Sequence, residues 1–219
     1  MQSLLQGETS LQIAGPVGVL EALISLPAAE RVSQPLVVVC HPHPLGGGTM
    51  NNKVVATLVR HYRDLGLPVL RFNFRGVGHS QGVHDHGRGE LDDLRAVIET
   101  GLQQWPVGHM ILAGFSFGSF VAASVAASDQ RCQHLLLVAP PVQNYPFEHL
   151  ALPAPTWVVQ GDADELVSVD DVRRWVKATP SVTRYEELSG CGHFFHGRLQ
   201  DLSARLHAPM QAWLTALQS

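Results

Sequence analysis

Charge is scarce and of no strong sign in this 219-residue chain: 15 Lys and Arg face 19 Asp and Glu, for a net charge of −4. The basic residues are scattered, so no basic stripe exists to neutralise a phosphate backbone, and nucleic acid is excluded as an expected partner. Cysteine is also sparse. Cys40, Cys132 and Cys191 are odd in number and lie in or beside apolar segments, which argues for reduced thiols and a cytoplasmic setting rather than a disulfide framework. No apolar run approaches membrane-spanning length, and Met1–Leu5 lacks a basic stretch followed by a long apolar one, so neither a membrane span nor export is expected. Internal repeats, low-complexity tracts and long linkers are absent too, and residues 1–219 are read as a single domain.

What is present is an alternation of strand-like and helix-like apolar segments, the pattern of an α/β fold. Two segments flanking Gly15-Pro16, about 11–14 and 18–26, predict an antiparallel hairpin at a sheet edge. Six further strands are predicted at 36–40, 69–74, 110–113, 135–138, 157–160 and 184–188, mostly apolar throughout, as expected where helices cover both faces of a parallel sheet. The last is more polar and is placed at the far edge. Helices are predicted from Val54, Leu58, Tyr62 and Leu65, from Leu91, Leu94, Ile98 and Leu102, from Phe117 onward, around Val172–Val176, and from about Arg198, where Pro209 is expected to kink or split the helix. Between the strands ending at Val138 and starting at Trp157 lies only a short Pro-containing loop, which leaves no room for a lid.

The strongest chemical signal is Gly114-Phe115-Ser116-Phe117-Gly118, which follows a predicted strand and opens a predicted helix. A sharp strand-to-helix turn of this kind presents a serine hydroxyl at a helix N-terminus, where the backbone N–H of Phe117 can stabilise an oxyanion. A serine hydroxyl is a weak nucleophile until a base takes its proton, so the motif alone equally describes a glycine-flanked helix start. Two later loops supply the missing groups. Gly161-Asp162-Ala163-Asp164-Glu165 carries three carboxylates after one strand, and Gly190-Cys191-Gly192-His193-Phe194-Phe195 carries a histidine after the next.

With these motifs in the order Ser, Asp, His, the chain from about Gly18 onward resembles the α/β-hydrolase superfamily, and within it the small lidless bacterial serine hydrolases. The resemblance implies a mostly parallel sheet of about eight strands with helices on both faces and no lid domain. It implies Ser116 as nucleophile and His193 as general base, with His196 nearer the start of the last helix. The family pattern Gly-x-x-Asp-x-x-Val falls on Gly161, Asp164 and Val167, which selects Asp164 as the triad acid, with Asp162 second and Glu165 a solvated surface charge. The loop Cys40-His41-Pro42-His43-Pro44-Leu45-Gly46-Gly47 matches the family's second oxyanion donor at the His43 N–H, although Pro42 stands where glycine is common. Pro44 has no N–H to offer, and Leu45 is the alternative; His41 is expected to be structural. Arg75-Gly76-Val77-Gly78-His79-Ser80 resembles a structural turn of the family.

Met50, Phe115, Phe117, Phe194 and Phe195 are candidates for an apolar acyl pocket, or equally for core packing. His79, His84, Asp85 and His86, with His41 and His43, form the basis of a metal reading, but no His-Glu-x-x-His pair is present and no metal or other cofactor is expected. The expected partner is a small acyl substrate, cleaved as an ester or thioester. The same residues would serve a peptidase, an acyltransferase or a perhydrolase, and a non-catalytic protein retaining the fold is the remaining alternative.

Overall fold

Residues 36–40 have no polar side chain apart from a thiol, and both faces of this segment are covered. Leu36, Val38 and Cys40 enter one apolar cluster, while Val37 and Val39 enter another on the opposite face. The computed structural model describes residues 7–27, 34–105 and 108–217. Met1–Leu5, read above for a targeting signal, lie outside the described residues.

The strands are β1 (Glu8–Gly15), β2 (Gly18–Ser25), β3 (Leu36–Cys40), β4 (Val69–Phe72), β5 (Met110–Phe115), β6 (Cys132–Val138), β7 (Thr156–Gly161) and β8 (Val182–Leu188). They form one eight-stranded sheet in the order β1-β2-β4-β3-β5-β6-β7-β8. β1 and β2 pair antiparallel, as do β2 and β4, and the remaining pairs are parallel. The helices are α1 (Lys53–Asp64), α2 (Arg88–Gln104), α3 (Phe117–Ala126), α4 (Val169–Ala178) and α5 (Leu199–Ala216). α2, α3 and α4 pack on one face of the sheet, and α1 and α5 on the other. This is the α/β-hydrolase fold, with a mostly parallel sheet.

Helix starts follow local chemistry. Asn52 caps α1 by accepting the Val54 N–H at 2.8 Å, and Ser168 caps α4 by accepting the Asp171 N–H at 3.3 Å. Glu90, fully buried in the first turn of α2, accepts the N–H of Gly87 at 2.8 Å.

β1, β5 and β8 are each two to four residues longer than predicted, and three other elements differ from their sequence-based prediction for a visible reason. β4 stops at Phe72 because the next N–H on the β3 side, that of Phe74, is taken by a side chain, although Asn73 still reaches β2. Asn73 donates to the Glu21 carbonyl at 2.8 Å, and Phe74 donates to the His41 ring at 3.1 Å. β6 starts at Cys132 rather than Leu135, since the polar His134 is fully buried edge-on between Trp157 and Trp213, at 4.5 and 4.8 Å between ring centroids. α5 runs through Pro209 without splitting. The carbonyl that proline leaves without its helical donor belongs to Arg205, on the exposed side of the helix, where water can take its place. Between β6 and β7 the chain forms only a single 3-10 turn, Phe147–His149, and no lid.

Candidate active site

The parallel strands β3, β5, β7 and β8 end on the same side of the sheet, and the loops that follow them carry the residues singled out above. Loops beyond the carboxyl ends of parallel strands are where an α/β sheet places its chemistry. Ser116 sits between β5 and α3 with φ 53° and ψ −123°, a backbone conformation a side chain rarely adopts. Its two glycine neighbours make that turn possible. A Cβ on Gly114 would lie 2.2 Å from the Gly118 carbonyl oxygen, and one on Gly118 would lie 2.5 Å from the carbonyl oxygens of both Cys40 and His41. The elbow is therefore pressed directly against the chain leaving β3. The Ser116 N–H is tied to the Val138 carbonyl at 2.9 Å, and the Ser119 hydroxyl donates to the Ser116 carbonyl at 2.6 Å.

Three side chains distant in sequence converge here. His193 Nε2 lies 3.0 Å from Ser116 Oγ, and its Nδ1 lies 2.8 Å from Asp164 Oδ2. An ionised carboxylate can only accept, so Nδ1 carries the proton and the lone pair of Nε2 faces the serine hydroxyl. Ser116 is half-buried, and His193 and Asp164 are closed off beneath it. Asp164 is held on every side. Its Oδ1 accepts the N–H groups of Leu166 and Val167 at 2.9 and 2.8 Å, and its Oδ2 accepts Gln160 Nε2 at 2.8 Å as well as the imidazole. Burial works against the Asp164 anion, but the hydrogen bonds from His193, Val167 and Leu166 outweigh it and hold the carboxyl below the usual carboxylate value.

The other two carboxylates of that loop do different work. Asp162 accepts the Gly190 N–H at 2.5 Å and does not reach the imidazole. Glu165, expected to be a solvated charge, is exposed yet accepts the His193 N–H at 3.0 Å, so it anchors the backbone of His193. His196 is exposed on the turn that precedes α5.

On the opposite side of Ser116, His41 is fully buried. Its Nε2 accepts the Phe74 N–H and its Nδ1 donates to the Pro42 carbonyl at 2.6 Å, and burial pushes its pKa down to about 4, so it is a neutral strut. The His43 ring accepts the Leu45 N–H at 3.2 Å and packs 5.0 Å from the Phe117 ring. The His43 backbone N–H has no hydrogen-bond acceptor among the described residues, and the Phe117 N–H opens α3, where no helical partner exists. Burial, with His84 beside it, lowers the pKa of His43.

His84 packs between His43 and His86, and its Nδ1 lies 2.8 Å from Glu90 Oε1. Among the described residues, no group of three or more His, Cys, Asp or Glu side chains is arranged to hold a metal ion. In the Arg75 turn, Arg75 forks onto Asp93 at 2.8 to 3.1 Å.

The pocket expectation requires correction. Met50 and Phe115 have no exposed surface, so they pack behind the site and offer no face to a substrate. Met50 is held there by its own backbone, whose N–H donates to Asn73 Oδ1 and whose carbonyl accepts from Arg71. Phe115 backs the imidazole at 5.1 Å, and Phe117 and Phe195 are likewise buried. Phe194 is the exception, 40% exposed beside His193. Sequence reasoning missed Gln160 and the anchoring role of Glu165; a lone polar residue ending the apolar run Trp157-Val158-Val159 was the available signal for the first.

The alpha/beta hydrolase fold family matches residues 35–154 of the chain. The chain is an alpha/beta hydrolase. A solved structure from Xanthomonas campestris, described as a serine hydrolase of this fold without a lid, is 40% identical to the hydrolase and superposes with a TM-score of 0.90, covering 97% of this chain and 98% of its own. A serine hydrolase homologue from Coxiella burnetii is 44% identical, with a TM-score of 0.84 over 93% of this hydrolase and 98% of that chain. An uncharacterised protein of Rickettsia prowazekii is 36% identical over 203 residues, 88% of this chain and 84% of that protein.

Proposed function

We propose that the hydrolase is a serine esterase that cleaves acyl esters or thioesters through an acyl-enzyme on Ser116. The observation that carries this reading is the unbroken chain from Ser116 Oγ through the imidazole to Asp164, at 3.0 and 2.8 Å. In the first half-reaction, His193 Nε2 takes the hydroxyl proton as Oγ bonds to the acyl carbon. The carbonyl oxygen becomes an oxyanion that the N–H groups of Phe117 and His43 receive. As the tetrahedral adduct collapses, the bond to the alcohol or thiol breaks and the imidazolium returns the proton to that leaving group. Water then repeats the sequence on the acyl-serine, releasing the acid and restoring Ser116. Asp164 stays ionised throughout, holding the imidazole in the productive tautomer.

On this reading the substrates carry apolar acyl groups. Leu45, Val83, Leu166 and Phe194 are exposed large apolar side chains on the loops that follow β3, β4, β7 and β8, at the end of the sheet where Ser116 lies. The test is a series of p-nitrophenyl esters of graded acyl length under pre-steady-state conditions. A burst of one p-nitrophenolate per enzyme, absent in Ser116→Ala, is expected, with turnover rising as the acyl chain lengthens. Linear release without a burst in every substrate and equal turnover by Ser116→Ala would exclude an acyl-enzyme. Adding alcohol or peroxide as competing acceptors and analysing the products separates hydrolysis from acyl transfer or perhydrolysis.

A further inference from the structure

Gln160 is the penultimate residue of β7 and is fully buried, a primary amide that follows the apolar run Trp157-Val158-Val159. Its Nε2 donates at 2.8 Å to Asp164 Oδ2, the same oxygen that accepts His193 Nδ1–H at 2.8 Å. A second, longer approach from Nε2 reaches the Gly161 carbonyl at 3.4 Å. Its Oε1 is buried with no hydrogen-bond partner among the described residues. The orientation follows from the chemistry, since the flipped amide would set a carbonyl oxygen against a carboxylate. A buried amide oxygen without a partner carries a desolvation penalty that a methionine or leucine of similar volume would avoid. The amide thus costs stability, and what it supplies in return is one N–H on Asp164.

We propose that Gln160 is a positioning residue for the triad, fixing the rotation of the Asp164 carboxylate and limiting how strongly Oδ2 holds a protonated His193. This rests on the reading of Ser116, His193 and Asp164 as nucleophile, base and acid. Two donors on one oxygen share its lone pairs and its charge. Without Gln160, Oδ2 would bind the imidazolium more tightly, and the carboxylate would be free to turn about its last torsion.

The other charged and titratable groups around this pair are Glu165 on the His193 N–H, Asp162 on the Gly190 N–H and the buried Cys191 thiol. On the adjacent strand β8 stands Glu187, which pairs in register with Gln160 and is engaged by Arg173 of α4 and the Tyr185 hydroxyl. All of them are retained in the variants below.

The test compares Gln160→Met and Gln160→Glu with the parent enzyme on one p-nitrophenyl ester. Gln160→Met keeps the volume and removes both the donor and the orphan acceptor. It is expected to unfold at no lower a temperature than the parent and to keep its KM, while kcat falls about tenfold and the acid limb of the kcat profile moves up by about half a pH unit. Gln160→Glu carries a proton at low pH that can be donated to Oδ2, so it should approach parental kcat there and lose it as the pH rises and two carboxylates come to face each other. Parental kcat and an unmoved acid limb in Gln160→Met would overturn the proposal. So would losses that track unfolding in both variants with no low-pH recovery in Gln160→Glu, because Gln160 would then be packing alone. Failure of a fluorophosphonate to modify Ser116 in the parent enzyme would instead remove the triad reading on which the proposal stands.

Discussion

At the scale of single residues, the three carboxylates after β7 show how loop geometry divides similar groups into different tasks. Asp164 alone meets the imidazole, while Asp162 and Glu165 hold backbone N–H groups of the loop that carries it. Asp164→Asn keeps the size but lets the amide face Nδ1 with a donor, which favours the wrong tautomer of His193. A fall in kcat of about 10³- to 10⁴-fold with little change in KM is expected. Asp162→Ala should cost less than about tenfold, by loosening Gly190 alone. Steady-state kinetics of the two variants decide it: comparable losses would mean that the acid has been misassigned. The meeting of Ser116 and His193 was legible from their glycine-flanked motifs, because the placement of both side chains depends on backbone shape that glycine spacing encodes. The choice among the carboxylates rested on a family spacing, and the anchoring by Glu165 and Gln160 was not legible at all. Both depend on side-chain direction within a loop, which no periodicity in the sequence specifies.

At the scale of elements, the elbow and the β3 loop are fitted to each other through the absence of a side chain at Gly118. Gly118→Ala would place a methyl group 2.5 Å from two carbonyl oxygens of the backbone, which have no flexible end to give way. The expected result is a loss of about 2 kcal/mol or more in urea unfolding, together with loss of hydrolase activity as the loop after β3 is pushed from Ser116. Unchanged stability would show that the two segments are less closely packed than described. Strands and helices were largely legible because apolar periodicity reports burial directly. The exceptions arose where a polar side chain replaces a backbone partner or hides in the core: the His41 ring ends β4, and His134 disguises the start of β6. Pro209 misled in the opposite direction, since an exposed carbonyl needs no helical donor.

At the scale of the whole molecule, several histidines are buried within the fold and shape its response to acid. Burial lowers the pKa of His41 and His61 from 6.5 to about 4 each, and that of His134 to about 3. The unfolded chain takes up these protons near pH 6.5, whereas the folded chain does not until near pH 4 or below. Stability is therefore complete above pH 6.5 and falls as the pH drops through the window from 6.5 to 4, by about 1.4 kcal/mol per pH unit for each histidine that stays neutral. Asp164, whose folded pKa is also lowered, extends the loss further into acid. Urea midpoints at pH 7.5, 5.5 and 4.5 should decline steadily, and His134→Phe should flatten the decline. A constant midpoint across that range would contradict the burial of these rings.

The same molecule-wide arrangement brings residues 116, 164 and 193 from three separate strand ends to one point, and its chemical consequence can be read by mass. Treatment with a fluorophosphonate, followed by intact-mass measurement and peptide mapping, is expected to show one adduct per chain, located on Ser116, and none on Ser116→Ala or on heat-denatured protein. An unmodified parent enzyme that also releases nothing from the ester series, or an adduct mapped to any other residue, would contradict the assignment of Ser116 as the activated nucleophile.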